Sequence, residues 1–102
     1  MNYTLITYTI KPELEAENAA LLTTVFGELA AARPSGFRYA VFQGVESGEF
    51  VHLYIDEGAG SDVEALPSFQ AYVTGVKDRH SSPAVVTHLK LIGDYRILGY
   101  SG

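Results

Sequence analysis

The stretch Phe37-Arg38-Tyr39-Ala40-Val41-Phe42-Gln43-Gly44-Val45, then Glu46-Ser47-Gly48-Glu49, then Phe50-Val51-His52-Leu53-Tyr54-Ile55-Asp56 decides the fold. Two runs rich in β-branched and aromatic residues flank a short polar segment containing Gly48, so 37–45 and 50–56 read as the two strands of a hairpin. Pairing around Ser47-Gly48 sets Gln43 opposite His52, Val41 opposite Tyr54 and Tyr39 opposite Asp56, all on one side of the pleat. The other side carries Ala40, Phe42, Val51, Leu53 and Ile55, with Arg38 beside Glu57 at the end. One face is therefore aliphatic and the other polar and aromatic. Alternation alone does not say which of them meets the helices.

Outward from the hairpin, residues 3–10 (Tyr-Thr-Leu-Ile-Thr-Tyr-Thr-Ile) read as a strand ended by Lys11-Pro12. Residues 13–32 read as a helix. Glu13, Glu15 and Glu17 suit its N-terminus, and Leu14, Leu21, Leu22, Val25 and Leu29 share one face. Arg33 and Pro34-Ser35-Gly36 stop it. Residues 57–62 read as a loop in which Ser61 or Asp62 can cap the next helix. That helix, 63–80, is expected in two pieces because Pro67 interrupts it. Leu66, Phe69, Val73 and Val76 form its apolar face, and Lys77, Arg79 and His80 complement the dipole in its last turn. Ser81-Ser82-Pro83 end it, 84–92 read as the last strand, and Tyr95 to Tyr100 extend that strand or form a C-terminal arm. The order strand–helix–strand–strand–helix–strand makes residues 1–102 one α+β domain, a ferredoxin-like βαββαβ unit with a four-stranded antiparallel sheet.

A sheet with helices on one side should alternate apolar and polar residues. Here Ile6, Tyr8 and Ile10 form one face of the first strand, and Tyr3, Leu5, Thr7 and Thr9 form an uncharged second face. Both hairpin faces also carry large apolar groups. Two helices cover one face only, and the remaining apolar surface calls for a second copy related by two-fold symmetry.

Composition narrows the function. With 7 Lys+Arg against 12 Asp+Glu the formal charge is −5, which opposes nucleic acid and acidic membrane surfaces. No apolar run is long enough to span a bilayer, and Met1-Asn2-Tyr3-Thr4 does not open a signal segment, so a cytoplasmic protein is expected. There is no cysteine, which removes thiolate ligands and nucleophiles. His52, His80 and His88 lack metal-ligand spacing, and no Gly-rich phosphate loop precedes a helix. Neither a metal nor another cofactor is expected.

The segments Ile10-Lys11-Pro12-Glu13, Phe50-Val51-His52-Leu53-Tyr54-Ile55-Asp56 and Leu66-Pro67-Ser68-Phe69-Gln70-Ala71-Tyr72, in this order, give the chain its likeness. It resembles the dimeric α+β barrel superfamily, particularly the antibiotic-biosynthesis-monooxygenase-like branch. The resemblance covers essentially the whole chain. It implies a homodimeric barrel and a small cofactor-free, monooxygenase-like enzyme acting on an aromatic or polyketide-like molecule. A non-catalytic ligand-binding or stress-type barrel is the alternative, because one fold hosts many functions.

The residues themselves offer a site. His52 and Tyr54 share a face and suit a general base and a phenol donor. Tyr39 paired with Asp56 would orient a ligand. Asn18 interrupts the apolar stripe of the first helix between Leu14 and Leu22, and His80 falls on the stripe of Phe69, Val73 and Val76. Both would line a pocket under the sheet, with Tyr72 at its margin. Against these roles stands a simpler one, in which the groups satisfy one another or nearby backbone. His88, alternating with Val86 and Lys90, is expected at an edge or in solvent.

Overall fold

A computed structural model describes residues 1–57 and 62–97. The elements run β1 (Asn2–Ile10), a 3-10 turn (Pro12–Leu14), α1 (Glu15–Ala32), β2 (Phe37–Gln43), β3 (Glu49–Asp56), a 3-10 turn (Asp62–Ala65), α2 (Pro67–Val73), α3 (Val76–Arg79) and β4 (His80–Leu89). The strands form one four-stranded antiparallel sheet in the order β2-β3-β1-β4, so the α+β ferredoxin-like reading holds. β1 and β3 lie inside the sheet and β2 and β4 are its edges.

The hairpin register differs from the expected one by two residues. Val41 faces His52, Tyr39 faces Tyr54, Phe37 faces Asp56 and Gln43 faces Phe50, while Arg38 lies opposite Ile55 rather than beside Glu57. The Gly44 amide donates to the Glu49 carbonyl at 2.8 Å, which closes the loop one pair earlier and leaves Val45 outside the strand. Gly48 is thus not a turn centre. Its carbonyl accepts from the Ile10 amide at 2.9 Å, and a Cβ on it would meet the Ile10 carbonyl at 2.6 Å. The glycine permits close approach of the hairpin to the end of β1. Because side chains alternate with period two, a two-residue slip keeps every residue on its expected face.

Two boundaries in the second half also move. Pro67 does break the helix, and it starts α2, where its missing N–H costs nothing. A second break follows at Gly75, whose φ of 77° is left-handed, so the segment becomes two short helices. His80 is the first residue of β4 and not a helical residue on the stripe of Phe69 and Val76; Ser81-Ser82-Pro83 lie inside the strand. An edge strand tolerates Pro83, and the pairing of β4 with β1 shifts register beside it, between Thr7 and Ile10. Residues 90–97 carry no regular element. Of the expected 57–62 loop and its cap, residues 58–61 lie outside the described residues, as does the last part of the C-terminal arm.

The core forms between the helices and the face of β1 and β3 that bears Tyr8, Ile10 and Phe50, with Leu22 and Val25 of α1 and Tyr72 of α2 against it. α1 and α2 are tied by Glu28, whose carboxylate accepts from the amide (2.9 Å) and hydroxyl (2.5 Å) of Ser68. Those two bonds hold the Glu28 carboxyl below its usual range. The opposite sheet face is open along its edge strands, where Phe42 is 60% and Val85 58% exposed, while Ile55 on the same face is buried. No helix among the described residues is long and apolar enough to cross a membrane.

Candidate functional site

Sheet topology puts His52 at the middle of the helix-covered face. It pairs with Val41 on one side and Ile6 on the other. Burial is nearly complete, at 4% exposed. Its Nε2 lies 2.7 Å from the Tyr8 hydroxyl and its Nδ1 2.6 Å from the Tyr39 hydroxyl. Burial pushes its pKa down to about 4, so the ring is neutral at pH 7, with one nitrogen donating and the other accepting.

The network continues from Tyr8. Its hydroxyl lies 2.5 Å from the Tyr72 hydroxyl and accepts from Asn18 Nδ2 at 3.2 Å. Asn18 Oδ1 in turn accepts from Arg79 Nε at 3.0 Å. Arginine has only donors, so this bond fixes which end of the amide faces Tyr8. Arg79 itself is 5% exposed. It donates to the carbonyls of Tyr72 (2.5 Å) and Thr74 (3.3 Å) at the C-terminal end of α2. Those carbonyls have no helical partner, and the negative end of the helix receives the buried cation. The guanidinium also lies 5.5 Å from the centre of the Tyr72 ring.

A cavity of about 500 Å³ opens beside this network, between the sheet and α2–α3. That volume falls in the range of small-molecule sites. Ile6, Phe37, Val63, Phe69, Val73 and Val76 make it mostly apolar, and Tyr8, Tyr39, His52, Tyr54 and Tyr72 bring the polar groups. Asp56 and Glu64 also line it. Glu64 and Val73 are themselves exposed, so the cavity is accessible from solvent on their side. Tyr39 is set by a stack on Phe26 of α1 (centroids 5.0 Å apart) and by Tyr54, edge-on at 6.3 Å. Burial raises the pKa values of Tyr8, Tyr39 and Tyr72, so all three stay protonated at neutral pH.

Of the residues singled out in the sequence, His52, Tyr54, Tyr39 and Tyr72 come together on the cavity wall. Asn18 does not reach it: the side chain is fully buried behind Tyr8, with both ends of its amide engaged. His80 packs its ring 4.8 Å from that of Tyr8, and its Nε2 is buried without a partner among the described residues. Burial, then the nearby Arg79 charge, lowers its pKa. Tyr39 does not pair with Asp56, because the shifted register places Tyr54 opposite it and its hydroxyl turns to His52. His88 is exposed on edge strand β4. Two members of the network, Tyr8 and Arg79, were missed. The available signal was a polar tip at Tyr8 on an otherwise apolar face with Ile6 and Ile10. Nothing local in the sequence distinguishes Arg79 from Lys77.

The same architecture recurs among solved structures. Rv0793 from Mycobacterium tuberculosis superposes with a TM-score of 0.71 at 18% identity, covering 91% of this chain and 96% of that one. A crystal structure described as an antibiotic biosynthesis monooxygenase gives 0.74 at 15%, covering 91% and 100%. A variant of SnoaB, a cofactor-independent oxygenase from Streptomyces nogalater, gives 0.65 at 15%, covering 91% and 94%. The chain has the fold of the antibiotic-biosynthesis-monooxygenase-like proteins. At these identities the likeness concerns the fold. No protein-family model matches the chain, and no curated protein matches it.

Proposed function

We propose that this chain is a small cofactor-free enzyme of the antibiotic-biosynthesis-monooxygenase-like type, working as a homodimer on an aromatic or polyketide-like molecule. The observation that carries this reading is the cavity: about 500 Å³, walled by apolar and aromatic side chains, with the Tyr39, Tyr54 and Tyr72 rings at a neutral, buried His52. Such a wall suits a flat, partly oxygenated ring system, whose faces pack on Phe37 and Phe69 while its oxygens meet phenols. His52 and Tyr54 are the proposed catalytic residues, and Tyr39 and Tyr72 contact the ligand. Asn18 and His80 act on it only through Tyr8, as positioning residues. In the oxygenase version of the reaction all four electrons that reduce dioxygen come from the ligand. A ring methylene loses its two hydrogens, one atom of dioxygen becomes its carbonyl oxygen, and the other leaves as water. The dimer covers the open sheet face, where Phe42 and Val85 are otherwise in solvent.

The reading is tested by incubating the purified chain with hydroxynaphthalenes and anthrones in air, with no added cofactor. Conversion by the wild type, reduced about a hundred-fold in His52→Ala, is expected from loss of acid–base assistance. Unchanged turnover in His52→Ala and Tyr54→Phe would remove the assignment. A monomer at micromolar concentration by light scattering would remove the dimer. A binding barrel without catalysis is favoured by one observation, that both His52 nitrogens are already bonded to phenols. It predicts binding with no conversion.

A further inference from the structure

A second recess lies outside the cavity at His52. It is a cleft of about 320 Å³ between the C-terminal end of α1 and edge strand β2. Phe26, Leu29 and Ala30 of α1 form one wall, and Phe37 and Tyr39 of β2 form the other. Phe37 and Tyr39 also line the larger cavity, so their rings stand between the two. Tyr39 is held there by its stack on Phe26, at 5.0 Å. The volume lies at the low end of small-molecule sites. Phe26, Leu29 and Phe37 are only half-buried, which leaves apolar surface in water. Ala30 is exposed, and its small side chain leaves the cleft unfilled.

Arg33 is the only charged residue on these walls. It is exposed and makes no ion pair among the described residues. Its backbone is left-handed, with φ 46° and ψ 57°, and its amide ends α1 by donating to the Leu29 carbonyl at 2.8 Å. Glycine takes that conformation freely, whereas a residue with a Cβ is strained in it. At Gly36 and Gly75 the chain meets the same need with glycine. A cation complements the negative helix end from any position in the last turn. Ala31 and Ala32 offered such positions in regular helical backbone. The dipole alone therefore does not account for an arginine at 33. What position 33 adds is a guanidinium at the aromatic cleft. Strained backbone retained at such a place points to a ligand.

We propose that this cleft is a second binding site, for an aryl carboxylate of one or two rings. The ring lies between Leu29 and the wall of Phe37 and Tyr39, and the carboxylate pairs with Arg33. An arginine fork matches the two oxygens of a carboxylate, and the aromatic rings supply the area that an exposed ion pair lacks. The cleft is on the helix-covered side of the sheet, so a second copy on the open face leaves it accessible. The site does not depend on what the larger cavity binds.

The test is equilibrium dialysis of the purified full chain against 2-naphthoate, with 2-naphthalenemethanol and 2-naphthylmethylamine as neutral and cationic counterparts. One naphthoate per chain is expected with a Kd below about 1 mM. The alcohol should bind about five-fold more weakly, and the amine more weakly still. Ala30→Leu fills the cleft from an exposed helical position and should weaken naphthoate at least about ten-fold. Arg33→Gly suits the left-handed backbone, so it keeps the fold, and it should bring naphthoate down to the affinity of the alcohol. Arg33→Lys should keep most of the preference for the acid. Val73→Trp, at an exposed position lining only the larger of the two, should leave naphthoate within about two-fold of wild type. No naphthoate binding overturns the proposal. So does an amine that binds better than the acid, because the helix carbonyls and not Arg33 would then set the charge preference. Loss of naphthoate in Val73→Trp with retention in Ala30→Leu places the ligand in the larger cavity and overturns the second site. Circular dichroism checks each fold; should Ala30→Leu not fold, Arg33→Gly and Val73→Trp decide.

Discussion

The two faces of the sheet are made from the same strands and have different fates. On the helix-covered face, Tyr8, Ile10, Phe50 and His52 are buried, each at 4% exposure or less. On the other face Phe42 and Val85 are more than half exposed and Ile55 is buried, and at edge strand β4 even Val86 of the covered face is exposed. Both faces are rich in large side chains, so hydrophobicity does not separate them. Polarity at the side-chain tips does. The covered face carries phenols and an imidazole that α1, α2 and α3 supply with partners, through Asn18 and Arg79. The open face offers mainly apolar groups such as Leu5, Phe42, Val51 and Leu53, beside Tyr3, Thr7 and Thr9, and these apolar groups need only another apolar surface. A buried polar tip requires a particular partner at a particular distance, whereas an aliphatic group does not. The intramolecular side of the sheet therefore holds the hydrogen-bonded network and its cavity, and the other side keeps apolar residues in solvent at its edges.

The largest effect should come from truncating matched residues on the two faces. Phe50→Ala leaves a hole in the closed core and is expected to cost about 3–5 kcal/mol in urea unfolding. Phe42→Ala should cost under about 1 kcal/mol in a dilute monomer, yet weaken self-association in sedimentation. Equal losses would erase the distinction between the faces.

A pH titration sharpens the contrast next. His52 has its pKa lowered from 6.5 to about 4, so the unfolded chain binds more protons than the native one between those values. Stability is full above pH 6.5 and falls as pH drops toward 4, by up to about 3 kcal/mol. The lowered pKa of His80 acts in the same direction. His52→Asn should flatten this slope in urea unfolding at several pH values, whereas Phe42→Ala should leave it intact. An unchanged slope in His52→Asn would mean that the buried imidazole is not its source.

The smallest effect is expected at the cavity itself. Tyr54 makes no hydrogen bond through its hydroxyl among the described residues and meets Tyr39 edge-on. Tyr54→Phe should shift stability by less than about 0.5 kcal/mol while lowering affinity for hydroxylated aromatics relative to unsubstituted ones. A stability loss above 1 kcal/mol, read against the cost of a buried hydrogen bond, would show that the hydroxyl is structural.

The elements and their order were legible because periodicity is local: alternation in 37–56, the α1 stripe through Leu22 and Val25, and the stops at Pro12 and Pro67. So was the division of the hairpin into two kinds of face, which survived a two-residue error in register because pleating has period two. The exact register was not legible. Gly48 resembles a turn glycine, and only its contact with Ile10, from another strand, shows why it is there. Nor could the sequence show that His80 opens β4 instead of closing a helix, a choice made by pairing with Ile10. The site divides in the same way. Residue types on one strand face brought His52, Tyr54 and Tyr39 together on paper, and packing supplied the rest. Tyr8 comes from 44 residues before His52, and Arg79 reaches Asn18 across 61 residues. Local sequence determined which groups share a face of a strand. Only the tertiary structure decided which face the helices cover, because that depends on long-range partners that can satisfy its polar tips.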